Sequence, residues 1–334
     1  MALDVKVETA ASCLAGFVHD LRFEAIPDGV VHAARRSLID TLGAALGGVD
    51  TDEAKACVAA AKDFDSGDQV TLWGSDLRAS APTAALVNGT VSHAIEMDDF
   101  GGCDHSGAVV IPSVLAVAEA FGGASGSSGR ELLVAIVAGY EVARRPMEAA
   151  GGYTAHNGRG WHSTGTCGSF GAAAAAGRMM NLDADRLTSA IGLAGTFTGG
   201  VWAFLDDGAM SKRLHPGRAA ENGVTAAYLA RRGFTGPARI FEAEWGGFLS
   251  TYAPDGGDPD ALTTELGESY RILQSGIKPY ASCRGVHSSI APCLNYRQIM
   301  ASGRTMSSAF ASGGVPLMSA WSEGEAPRRC SRRR

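Results

Sequence analysis

Residues 151–180, GGYTAHNGRGWHSTGTCGSFGAAAAAGRMM, set two histidines and an arginine among small residues and then run into five consecutive alanines. The second half shows no strand-like alternation, and alanine is the strongest helix former, so the stretch predicts a helix over about 163–180. Small side chains let neighbouring backbones approach closely, which suits such a helix to a tightly packed helical assembly.

The same signals recur outward from it. From Val5 to about Ala61 the apolar residues fall at helical spacing, with Pro27 and Thr51 as start signals, and predict three helices. Further helices are predicted over about 80–95, 109–122, 129–150, 184–198 and 216–232, separated by Gly-rich turns. QVTLW, residues 69–73, is the one convincing strand. The expected fold is mainly α, a large all-helical domain over 1–255. Residues 291–334 lose the helical period, are rich in Ser and Arg and end in RRCSRRR, so a disordered or frame-shifted tail is expected there.

Composition bounds the function. With 334 residues, 46% of them hydrophobic and 19% charged, the chain reads as soluble and globular. A net charge of −6 without a basic stripe in the first 290 residues excludes nucleic acid as the expected partner. The N-terminus is acidic where a secretory signal would be basic, and no apolar run reaches membrane-spanning length; the expectation is a cytoplasmic protein with no membrane partner. Seven cysteines, odd in number and without a CxxC pair, fit reduced thiols.

Six of the eight histidines fall between positions 93 and 287, several just ahead of a predicted helix. A helix N-terminus offers unpaired N–H groups and a positive dipole end, so a His or Lys beside it builds a site for a carboxylate or phosphate. His105 precedes SGAVVIPSVLAVAEA, His162 precedes STGTCGSFGAAAAA, and Lys212 with His215 precedes PGRAAENGVTAAYLA, where Pro216 suits a first helical turn. Lys212 is one of only five lysines. Taken singly, each histidine has a plainer reading as a cap, and Asp98 and Asp99 have one as loop residues. Gly165, Gly168 and Gly171 lack the spacing and the preceding strand of a dinucleotide fingerprint. His93, Asp98, Asp99 and His105 match no defined metal-ligand spacing. Neither a cofactor nor a metal is expected.

Several segments, in order from about residue 5 to 290, resemble the MmgE/PrpD family: IPDGVVHAARRSLIDTLGAALGG, NGTVSHAIEMDDF, HSGAVVIPSVLAVAEA, GRGWHSTGTCGSFGAAAAAGRMMNLD, KRLHPGRAAENGVTAAYLARRGFTGP and KPYASCRGVH. This family includes 2-methylcitrate dehydratase, cis-aconitate decarboxylase and iminodisuccinate epimerase. The resemblance implies that only the start of a smaller α/β lid domain follows the helical one, over 256–290, and it implies a homodimer and a cationic site at His105, His162 and Lys212, the positions that helix starts also single out. It further places on Glu96 an acidic residue important in the decarboxylase branch. A family histidine falls on Cys283, a departure that counts against decarboxylation, while His287 matches a second histidine of that motif.

The family's reactions share negative charge developing on a carbon beside a carboxylate, which fixed cations and N–H dipoles stabilise without a cofactor. The expected roles are proton transfer by His105 and His162, carboxylate binding by Lys212 and orientation of a histidine by Asp98 or Asp99. Glu96, Tyr153, His215, Cys283 and His287 are expected at the substrate. The expected function is a cofactor-independent lyase dehydrating a hydroxy-di- or tricarboxylate such as 2-methylcitrate. An epimerase, a decarboxylase, or a truncated member that only binds acids stand as alternatives. Since family chains continue through the lid, the tail reads as a frameshift or premature stop, with exposed apolar surface and little activity expected.

Overall fold

The computed structural model describes residues 8–122 and 127–301. Helix dominates, at 65%. The chain begins with α1 (Ala10–Asp20), α2 (Asp28–Gly48) and α3 (Asp52–Phe64), the last two opening at the start signals Pro27 and Thr51. Thr9 caps α1 in a reciprocal box with Ser12, Pro27 stands just before α2, and the Thr51 side chain accepts from the Ala54 N–H of α3. QVTLW contracts to a two-residue strand, β1 (Val70–Thr71), paired antiparallel with β2 (Arg78–Ala79).

α4 (Ala81–His93), α5 (Gly107–Gly122), α6 (Gly129–Ala149), α8 (Ser163–Met179), α9 (Ala184–Thr196) and α11 (Ser211–Arg231) form the body, with short helices α7 (Gly152–Gly158), α10 (Phe204–Asp207) and α12 (Phe248–Tyr252) between and after them. α8 is the centre. Every residue from Ser163 to Gly177 is buried, and the helix packs on α5, α6, α9 and α11. Glycines make this approach possible: a Cβ on Gly223 of α11 would lie 2.3 Å from the Ala172 side chain and 2.4 Å from the Ala173 nitrogen of α8. One apolar core joins α1, α2, α5, α6, α8 and α9, and a second joins α3, α4, the hairpin and parts of α8 and α11.

Two boundaries differ from the sequence reading. α11 begins at Ser211, not near Pro216, so Lys212 and His215 lie inside its first turns. Pro216 forgoes a bond to the Lys212 carbonyl, a loss a helix tolerates near its start better than in its middle. The chain divides after Ser282 into two units. Of the second, the described part is a 3-10 turn, Arg284–Val286, and helix α13 (His287–Ala301). The helical period was read as ending near 290; Ser, Ala and Pro carry no apolar stripe there by which to find the helix. Residues 302–334, the rest of the expected tail, lie outside the described residues.

Candidate active site

The segment between α4 and α5, residues 94–106, carries most of the ionisable groups, and His93 closes α4 just ahead of it. Two of its non-glycine residues have positive φ, Glu96 at 57° and Asp104 at 97°. Such conformations cost on the order of 1–3 kcal/mol each and persist where surrounding contacts hold them. An antiparallel bridge between Phe100 and Gly276 ties this segment to the chain leading to Lys278. His162 stands at the N-cap of α8, and Lys212, Arg213 and His215 project from the start of α11.

These elements converge on one buried cluster. Asp98 is fully buried and receives His93 Nδ1 at 2.9 Å and His105 Nδ1 at 3.0 Å. His105 Nδ1 also lies 3.0 Å from the Asp99 carbonyl. On the other side of that ring Nε2 is 3.5 Å from Asp104 Oδ2, and His162 Nε2 approaches the same oxygen at 3.6 Å. His162 Nδ1 meets His215 Nδ1 at 2.8 Å, so one of the two nitrogens carries the shared proton. Lys212 and Arg213 both donate to Glu96 Oε1. Lys278 donates to the Glu96 carbonyl at 2.9 Å and lies 3.8 Å from Asp98. Trp202 closes one side, its ring 5.0 Å from that of His162 and 5.8 Å from the Lys212 ammonium.

Burial and neighbours push these groups apart in proton affinity. Burial opposes charge on His105, but Asp104 and Asp98 outweigh it and lift His105 above the ordinary histidine range. Burial lowers His162, only partly offset by Asp104, and pushes His93 down to about 3 despite Asp98. Against the effect of burial, His93 and His105 hold Asp98 well below the carboxylate range, and together with Lys212 they do the same for Glu96. Asp99 goes the other way, raised to about 6 by burial and by Asp98.

The structure thus gathers His105, His162, Lys212, Asp98, Asp99, Glu96 and His215. Asp98 orients His93 and His105 together, whereas Asp99 uses its carboxylate elsewhere, accepting from Tyr140 Oη at 2.7 Å and from the Gly107 N–H at 2.9 Å. That last bond corrects the helix-start argument. The first N–H of α5 is taken by Asp99 and that of α8 by the Asn157 side chain at 3.3 Å, so these two N–H groups serve internal partners. Tyr153 sits on α7 with 45% exposure. Cys283 is exposed and stands at the N-cap of the 3-10 turn, and His287 opens α13, both in the second unit.

Sequence reasoning missed Asp104, Arg213, Tyr140 and Lys278 and considered His93 only as a metal ligand. The signal for Asp104 was an acid directly ahead of His105; for Lys278, its rarity as a lysine.

The N-terminal domain of the MmgE/PrpD proteins matches residues 12–258, most of the chain and all of the cluster except Lys278. The chain belongs to the MmgE/PrpD family. Among its MmgE/PrpD relatives, a cis-aconitate decarboxylase-like protein of Aspergillus oryzae is 32% identical over 83% of this chain and 59% of its own length. Human cis-aconitate decarboxylase is 32% identical over 71% of this chain and 50% of its own length. The cis-aconitate decarboxylase of Aspergillus terreus is 28% identical over 83% and 58% respectively. The chain therefore spans about half to three-fifths of the length of these relatives. No helix among the described residues is long and apolar enough to cross a membrane.

Proposed function

We propose that this chain carries the proton-transfer and carboxylate-binding half of a lyase that forms a carbanion beside a carboxylate of a small tricarboxylate. One observation carries the reading: two buried histidines of opposite proton affinity face a shared carboxylate, beside three cationic side chains gathered on Glu96. Groups whose environments drive their proton affinities apart supply an acid and a base at one pH. His105 is the acid and His162 the base. Lys212, Arg213 and Lys278 hold substrate carboxylates, which take over contacts that Glu96 makes in their absence. Fixed cations of this kind stabilise developing negative charge with no reorganisation at the moment of reaction, each good donor contributing roughly 3 to 4 kcal/mol. The chemistry asks for no cofactor.

Dehydration of a 2-methylcitrate-like acid is the reaction expected from the family resemblance; the names of the relatives favour decarboxylation of cis-aconitate. In decarboxylation the bond to the departing carboxyl breaks, CO2 leaves with no proton, and the electron pair left on carbon takes the His105 proton. In dehydration His162 removes a proton from carbon and His105 protonates the departing hydroxyl. Incubation with cis-aconitate and with 2-methylcitrate, followed by proton NMR and CO2 release, separates the two. Lys212→Ala should weaken binding of whichever acid reacts by about 1.5–3 kcal/mol, roughly ten- to a hundredfold, by calorimetry. Unchanged affinity would remove Lys212 from the site. A second copy of the chain is the expected partner.

A further inference from the structure

His105 and His162 present the same ring nitrogen to one carboxylate oxygen. Nε2 of His105 lies 3.5 Å, and Nε2 of His162 3.6 Å, from Asp104 Oδ2. All three ligand atoms fall within 4.8 Å of one another. These separations are long for hydrogen bonds. They suit atoms that surround one ion, since ligands about 2.0–2.2 Å from a tetrahedral metal stand roughly 3.3–3.6 Å apart. His162 Nε2 is buried and has no hydrogen-bond partner. The opposite nitrogen of each ring is already held, His105 Nδ1 by Asp98 and the Asp99 carbonyl, His162 Nδ1 by His215. Histidines that bind metals are oriented by such outer contacts, which aim the remaining lone pair at the ion. Asp104 completes the set with the carboxylate oxygen that both Nε2 atoms face.

We propose that Asp104, His105 and His162 bind one divalent first-row transition-metal ion of the Zn2+ type, and that the bound ion blocks the site. Two imidazoles and a carboxylate form a ligand set that such ions favour. The alternative set, His93, Asp98 and His105, is less open, because its nitrogen–oxygen distances of 2.9 and 3.0 Å are those of hydrogen bonds already made. A metal on these rings replaces the proton that His105 gives as an acid and takes the lone pair that His162 uses as a base. Blocking is therefore the consequence, and this half of the proposal rests on the function proposed above; the binding half does not.

The test uses the full chain, stripped with a chelator and titrated with ZnCl2 against a chromophoric competitor. The expected result is one bound equivalent, lost in Asp104→Asn and in His162→Gln and kept in His93→Gln, with circular dichroism confirming that each variant is folded. Co2+ on the unsubstituted chain provides a readout that needs no variant: its spectrum should show ligand-field bands without a thiolate charge-transfer band. Absence of a bound equivalent, its retention in both Asp104→Asn and His162→Gln, its loss in His93→Gln alone, or a thiolate band would each overturn the site. Turnover of a tricarboxylate should fall as the site fills and return with chelator. Turnover that persists at full occupancy would overturn the blocking half.

Discussion

His105 and His162 face one oxygen of Asp104, and their opposed environments dictate a pH profile. His105 holds its proton above the usual histidine range, so as an acid it fails when pH rises through that raised value. His162, lowered by burial, stays a base until pH falls below the usual histidine range. A plot of kcat/KM against pH should therefore be bell-shaped, and His105→Asn should abolish the alkaline limb along with most of the rate. A flat profile would dissolve the acid and base assignment. Asp40 gives a second pH effect, on stability. Burial, Asp99 and Asp98 raise it to about 7, and its Oδ2 has no hydrogen-bond partner. A carboxylate whose folded value lies above its unfolded one of 3.8 favours the folded state when protonated, so stability is lost as pH rises from about 4 through 7. Asp40→Asn should raise the Tm at pH 8 and make little difference at pH 4. His105, His162 and Lys212 were legible in the sequence because each lies near the start of a helix in a recognisable motif. Asp104, Arg213 and Lys278 were not. Their value arises only when residues 94–106 fold back with positive φ at Glu96 and Asp104, and when the Phe100–Gly276 bridge brings in a lysine distant in sequence.

The central helix α8 reads directly from its five alanines, because small side chains dictate both helix and close packing. That makes its glycine contacts testable. Gly223→Ala places a methyl group 2.3 Å from Ala172, and such overpacking costs about 1–3 kcal/mol, against a helix-propensity gain of about 1 kcal/mol. Gly43→Ala in α2 meets nothing within 4 Å and should gain up to about 1 kcal/mol. Opposite signs in denaturant unfolding are expected; equal effects would contradict the close packing of α8 on α11. Other elements were less legible. QVTLW has the composition of a strand but finds a partner of only two residues, and the start of α11 was assigned to Pro216 because proline most often marks a first turn. α7 and α10, at seven and four residues, are too short for an apolar period to show.

Residues 12–258 match the N-terminal domain of the family, and the buried cluster lies within that body, completed by Lys278. The mainly helical class followed from spacing, while the substrate did not, because acid selectivity depends on how side chains from four separate segments are placed around the acid. What the family's reactions share is a carbanion beside a carboxylate, and that species is detectable whichever acid is the substrate. The chain should be incubated in D2O with cis-aconitate, 2-methylcitrate, citrate and iminodisuccinate, and deuterium at carbon followed by proton NMR. At least one of these acids, or its product, should take up deuterium at a carbon next to a carboxylate, and the uptake should fall at least a hundredfold in His105→Asn where the acid loses CO2 and in His162→Gln where it first loses a proton from carbon, about the least that a positioned general acid or base contributes. No uptake with any of the four, or uptake diminished by neither variant, would contradict the assignment of these two histidines.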